Sequence, residues 1–243
     1  MARPVRLLVV PVVPVVPVVL ALLALATPAD ARPAPYSERP GRSGDHTFLF
    51  QDPVAWPSCG ALTYRVNPSK APRAWKPLVR TAVRKAHQAT GLRFRYLGTT
   101  TAKPTHGGTN PDGTDLVVAF LVPGQTDMLG GPGVAGEGGA ATDGSRLFDG
   151  KIVLNGAVLA RMADGFGQGP RYGIQGTRGQ VVMHELGHAL GLGHARERTQ
   201  VMYPTATRKP ADWGAGDWAG LRRLGQGGCD QPAAGRPRAH ALP

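Results

Sequence analysis

Residues 181–194 read VVMHELGHALGLGH, and no other stretch of the chain limits its fold as tightly. Apolar residues dominate it, yet three of the chain's seven histidines and Glu185 fall between positions 184 and 194. On an α-helix His184 and His188 stand one turn apart on the same face, so a single ion can reach both rings. Gly191 tolerates the positive φ at which a helix can stop, and Gly193 adds freedom for the chain to bend back and deliver His194 to the same point. Three neutral imidazoles with a fourth corner open make the donor set of a catalytic zinc ion, because structural zinc sites close every corner with protein ligands. Glu185, beside His184, is placed to take a proton from water at the open corner, where zinc lowers the water's pKa to about 7. The expected chemistry is metal-assisted hydrolysis of an amide. From this composition His-Glu-x-x-His-x-x-Gly-x-x-His arises by chance with probability on the order of 10⁻⁵, which sets aside a helix of merely satisfied core histidines.

A chain of 243 residues suffices for one domain with a substantial core and is short for two. Residues 1–31 are expected to be a secretory signal peptide: Arg3 and Arg6 precede an apolar run from Leu7 to Ala26, and Ala29-Asp30-Ala31 is a small-x-small cleavage signal. Pro11, Pro14 and Pro17 interrupt that run and disfavour a membrane-spanning helix. Cleavage removes Arg3, Arg6 and Asp30, which takes the formal charge from +12 to +11 and leaves a basic, secreted chain. No run of five basic residues and no aromatic–basic alternation marks a nucleic-acid platform, so neither nucleic acid nor, after cleavage, a membrane is an expected partner. Cys59 and Cys229 are the only cysteines, and an even pair in an exported chain reads as one disulfide closing a long loop.

Residues 32–46, rich in proline, glycine and charge, are expected to be a flexible lead-in, with the catalytic domain over 47–229 and a disordered tail over 230–243. ALTYRVN alternates Leu62, Tyr64 and Val66 as a strand. Trp75, Leu78, Val79, Ala82, Val83 and Ala86 recur at helical spacing between Pro72 and Gly91, which predicts an amphipathic helix with Arg80, Arg84, Lys85 and His87 outward. LRFRYLG reads as a second strand and DLVVAFLV as a buried third. In the glycine-rich stretch from Pro123 to Gly150, GVAGEGGAA suggests an irregular edge strand, and KIVLN is a further buried one. Strand, helix, strand, strand predicts a mixed sheet with a right-handed crossover.

HELGHALGLGH resembles the extended zinc signature of metzincin metallopeptidases, and VMYP, seven residues after His194, is similar to their methionine turn, a role that falls on Met202. Within metzincins the chain is most similar to matrixins, in LTYRVN, in Met202-Tyr203-Pro204 and in GDWAGLRRLG, over roughly residues 60–229. The resemblance implies an α+β, zincin-like fold: a twisted, mixed but mainly parallel sheet with two long helices above the zinc cleft, and a smaller C-terminal part ending in a third helix. It implies a zinc endopeptidase with His184, His188 and His194 as metal ligands and Glu185 as general base. A monomer acting on a protein or peptide substrate, bound extended along an edge strand, is expected. Matrixins also tend to hold calcium, for which Asp112, Asp115, Asp143 and Asp149 are candidates, and a structural zinc, for which His106 is one. Loop aspartates usually just make turns, and the structural-zinc spacing is absent. PSCG around Cys59 is similar to the thiol switch of matrixin propeptides, an alternative to the disulfide that leaves Cys229 unpaired. Ala195 stands where matrixins usually carry a hydroxyl residue and Ala206 where a tyrosine is frequent, and Tyr203 is assigned no catalytic role. Two other functions stay open: the same chemistry on cell-wall peptides, suggested by the basic charge, and a basic zinc-stabilised binding module without catalysis, against which Glu185 argues. Protonation of the histidines predicts activity that falls below about pH 6.

Overall fold

A computed structural model describes residues 39–131 and 133–228; the expected signal peptide, the expected tail and Cys229 lie outside them. Five strands form one sheet: β1 (Ala61–Asn67), β2 (Arg93–Thr99), β3 (Leu116–Leu121), β4 (Gly136–Thr142) and β5 (Leu147–Asn155). Their order is β2-β1-β3-β5-β4, parallel throughout except for β4, which runs antiparallel to β5 at one edge. This is the mixed, mainly parallel sheet that the sequence suggests. β3 is central and buried on both faces: Leu116, Val118 and Phe120 enter the main core, while Val117, Ala119 and Leu121 enter a smaller one with Met128, Leu129 and Val153. Two covered faces explain its unbroken apolar run, whereas β1 keeps its alternation because one face alone is fully packed.

Among the described residues four helices accompany the sheet: α1 (Trp75–Thr90), α2 (Gly156–Ala160), α3 (Arg178–Ala189) and α4 (Ala215–Leu224). α1 turns Leu78, Val79, Ala82, Ala86 and Ala89 to the core and ends at Gly91, whose φ of 77° is a left-handed cap. α3 lies between α1 and the β4–β5 edge, and from Gly179 to Ala189 every residue except His184 is buried. The short α2 is an element that the sequence analysis does not anticipate. There the Asn155 side chain accepts the N–H groups of Ala157 and Val158 and so opens a helix. No helix among the described residues is long and apolar enough to cross a membrane.

The flexible lead-in over 32–46 is corrected from Arg39 onward. Arg39 is buried, donating to Trp213 O and lying over the Trp218 ring, and Asp45 accepts the backbone N–H groups of Arg196 and Glu197. Long-range hydrogen bonds hold this segment, and those leave no local periodicity to read.

Candidate metal centre

Thr177 caps α3 by accepting the Gln180 N–H, and the helix then carries His184 and His188 one turn apart. Its far end closes as a Schellman motif: Leu192 N–H donates to Gly187 O and Gly191 N–H to His188 O, with Gly191 at φ 109°. A side chain with a Cβ resists that φ, so glycine is what lets the chain reverse within two residues and bring His194 back over the helix. The three rings converge. His188 Nε2 stands 3.1 Å from His184 Nε2 and 3.2 Å from His194 Nε2.

Backbone carbonyls fix the tautomers of two rings. His184 Nδ1 donates to Val201 O and His188 Nδ1 to Leu192 O, each at 2.8 Å, and since a carbonyl can only accept, the proton sits on Nδ1. The Nε2 atoms therefore present bare lone pairs to one another at contact distance. Burial keeps both rings neutral, pushing His184 down to about 4 and His188 to about 3, and desolvation lowers the more exposed His194 as well. Lone pairs so placed repel unless a cation lies between them. Nitrogens roughly 2.0–2.1 Å from a tetrahedral zinc stand about 3.3 Å apart, which the observed separations match. These three form the one group of potential ligands that comes together among the described residues.

Glu185 turns to the β4 side of α3. An added Cβ on Gly136 would lie 2.8 Å from Glu185 Cγ, and one on Gly138 only 2.1 Å from Glu185 O, so the glycines of β4 let strand and helix pack backbone to backbone. Burial there pushes the Glu185 carboxyl up to about 8; the neighbouring Glu137 carboxylate adds to the shift and the Gly138 N–H opposes it. Met202 lies beneath the same helix, where a Cβ on Gly187 would meet its Sδ at 2.4 Å. Its turn is pinned by Asp217, a residue to which the sequence analysis assigns no role of its own. The buried Asp217 carboxylate accepts Val201 N–H at 2.5 Å, Met202 N–H at 3.2 Å and Gly214 N–H at 3.0 Å. In return the Gln200 side chain accepts the free N–H groups of Gly216 and Asp217 in the first turn of α4. An acid three residues past a glycine cap, as in GAGDW, is the signal that marks Asp217.

A cleft of about 830 Å³ lies over these groups. Val134, Ala135 and the start of β4 to Gly138 form one wall and Tyr203 to Ala206 the other, with the half-exposed Leu49 and Ile174 at its rim. Because β4 is a sheet edge, one row of its backbone groups is unpaired by the sheet and can accept an extended chain. The aspartates considered for calcium are engaged in hydrogen bonds within the chain: Asp112 accepts Thr114 and Asp143 accepts Ser145 and Arg146 in their own loops, while Asp115 accepts Thr63 of β1 and Asp149, in β5, accepts Asn110 N–H. His106 stands 3.3 Å from a Glu137 oxygen, away from the triad. Cys59 Sγ lies 4.0 Å from the carbonyl oxygen of Gly228, the residue that precedes Cys229 in the sequence.

Comparison with known proteins adds two findings. The sequence model of the matrixin peptidases matches residues 174–224, which hold α3, the three histidines, Met202 and α4. A hatching enzyme of Paracentrotus lividus is 31% identical over 163 residues, a match that covers 65% of this chain and 22% of that protein, so the chain spans about a fifth of the relative's length.

Proposed function

The chain is matrixin-like, and from that premise we propose that it is a zinc-dependent endopeptidase which hydrolyses peptide bonds with water, Glu185 acting as general base. The observation that carries this reading is the meeting of three imidazole Nε2 atoms, two of them fixed as bare lone pairs, beside a buried carboxylate in an open cleft. Zinc bound there would supply Lewis acidity for the scissile carbonyl and would acidify the attacking water. His184, His188 and His194 would hold the ion. Glu185 accepts the proton of the attacking water and returns it to the leaving amine. The substrate adds as a strand along β4, its main chain pairing with the free edge. Glu185→Gln keeps the size of the side chain and removes the base. It is expected to bind zinc as the parent does and to lose roughly 10²–10⁴-fold in peptide hydrolysis. Undiminished turnover by that variant rejects the mechanism, and zinc retention without turnover by either form points to a binding module. Digestion of casein and of purified peptidoglycan side by side separates a general endopeptidase from a cell-wall hydrolase.

Export belongs to the same proposal, on the strength of the Arg3–Ala31 sequence pattern, and so does a Cys59–Cys229 disulfide, supported by the position of Cys59 beside Gly228. Mass spectrometry of the protein recovered from a secreting host is expected to find Arg32 at the amino terminus and both thiols oxidised. A retained leader or two alkylatable thiols counts against it.

A further inference from the structure

We infer that residues 39–49 form a strap that positions His194, so that the third metal ligand is held from the far end of the chain rather than by the zinc helix alone. The inference rests on the proposed zinc site. His184 and His188 are each oriented through Nδ1 by a carbonyl, whereas no described residue bonds to Nδ1 of His194. Orientation of the third ring therefore falls to its backbone, and the strap grips that backbone on both sides. Thr47 Oγ1 donates to His194 O at 2.8 Å, Gly193 N–H donates to Thr47 O at 2.8 Å, and Leu49 N–H donates to Gly191 O at 2.9 Å, around an antiparallel bridge between Phe48 and Leu192. Beyond the ligand, Asp45 takes Arg196 N–H on one oxygen at 3.0 Å and Glu197 N–H on the other at 2.8 Å, and Arg42 pairs with the Glu197 carboxylate.

Glycines on either side of the strap fit the same contact. A Cβ on Gly193 would stand 2.3 Å from Thr47 Oγ1, so this glycine is needed for close approach of the strap. On α4 a Cβ at Gly216 would meet Asp45 O at 2.1 Å, and one at Gly220 would lie 3.2 Å from His46 Cδ2. Glycine inside a helix is unfavourable relative to alanine, and two of them four residues apart open a groove along which the strap runs. Gly41, at φ 91°, lets the strap turn where a Cβ would strike the Gln200 side chain at 2.2 Å. Arg39 anchors its beginning on Trp213 and Trp218.

Thr47, Asp45 and Gly193 are thus positioning residues that act through His194. The test measures zinc affinity by chelator competition on the full secreted chain, with circular dichroism of each metal-free form. Thr47→Val and Asp45→Asn are expected to weaken zinc binding tenfold to a hundredfold, the range found when groups that orient metal ligands are removed, with the fold retained. In a His194→Ala background the same substitutions should cost nothing further, because the ring through which they act is gone. Gly216→Ala lifts the strap from the opposite side and should reproduce the loss should Asp45→Asn not fold. Parent-like zinc affinity in Thr47→Val and Gly216→Ala, or an undiminished cost in the His194→Ala background, overturns the strap. A parent chain that binds no zinc, or is indifferent to His194→Ala, instead overturns the metal reading itself.

Discussion

Asp217 shows how far one side chain governs the centre without touching it. Both its oxygens receive only backbone N–H donors, two of them from Val201 and Met202, and Val201 O in turn accepts His184 Nδ1. Asp217→Asn replaces one acceptor oxygen by an NH₂ group that faces those donors, leaving a buried N–H unsatisfied at a cost of about 1–3 kcal/mol. The expected result is a lower urea midpoint with an unchanged denaturant slope, accompanied by weaker zinc binding because Val201 O shifts. A variant with the parent midpoint would show that the turn holds itself. The histidines and Glu185 are legible in the sequence because their relation is short-range, fixed by helix geometry and one glycine turn. Asp217 acts across a turn closed by tertiary contacts, and its spacing from His184 carries no periodic signal. Gly193 reads in sequence as conformational freedom, whereas the structure gives it a steric reason, the approach of Thr47.

Among the elements, those that bury a regular face are readable: β1 through its alternation, α1 through its three-to-four spacing, β3 through its unbroken apolar run. β4 is visible only as an irregular glycine-rich edge, since its glycines answer to α3 and not to strand propensity. Gly136 and Gly138 point at the helix, while the register with β5 shifts between Gly139 and Ala141. The strap is hidden for a related reason, because hydrogen bonds and glycine contacts spanning more than a hundred residues leave no mark within a local window. Gly138→Ala tests the β4–α3 contact. A methyl 2.1 Å from Glu185 O forces strand and helix apart, and overpacking of this kind costs about 1–3 kcal/mol. Displacement of Glu185 from its place in the cleft is expected to lower kcat/KM on the order of 10²-fold while circular dichroism stays native. Wild-type kinetics in this variant would mean that β4 can shift without carrying the carboxylate with it.

For the whole molecule, the buried ionisable groups bend the pH dependence of stability in opposite directions. Glu185 and Asp217 are pushed up by burial to about 8 and about 7, so the folded, metal-free chain keeps protons that the unfolded chain releases above about 4. Their contribution is full below the ordinary carboxylate range and drains away as pH rises toward 8. His184 and His188 are pushed down, to about 4 and about 3, so below about 6.5 the unfolded chain binds protons that the folded one refuses. Their contribution is full above 6.5 and is lost as pH falls toward 3. Between about 4.5 and 6.5 the two pairs offset each other, and above 6.5 only the carboxyls still titrate. Chelated protein is therefore expected to be most stable near pH 6 and to lose urea resistance steadily toward pH 9. A bound divalent cation removes the alkaline decline, because its charge favours ionised Glu185 and its binding energy accrues to the folded state alone. The same burial moves acid loss of the metal below the pH of about 6 that free imidazoles suggest, since two of the three rings resist protonation well beneath it. Urea melts from pH 4 to 9, with and without zinc, measure all of this. Chelated protein that grows more stable from pH 6.5 to 9 would show both carboxyls already ionised at neutrality, and the basicity assigned to Glu185 would then have to come from the metal-loaded state.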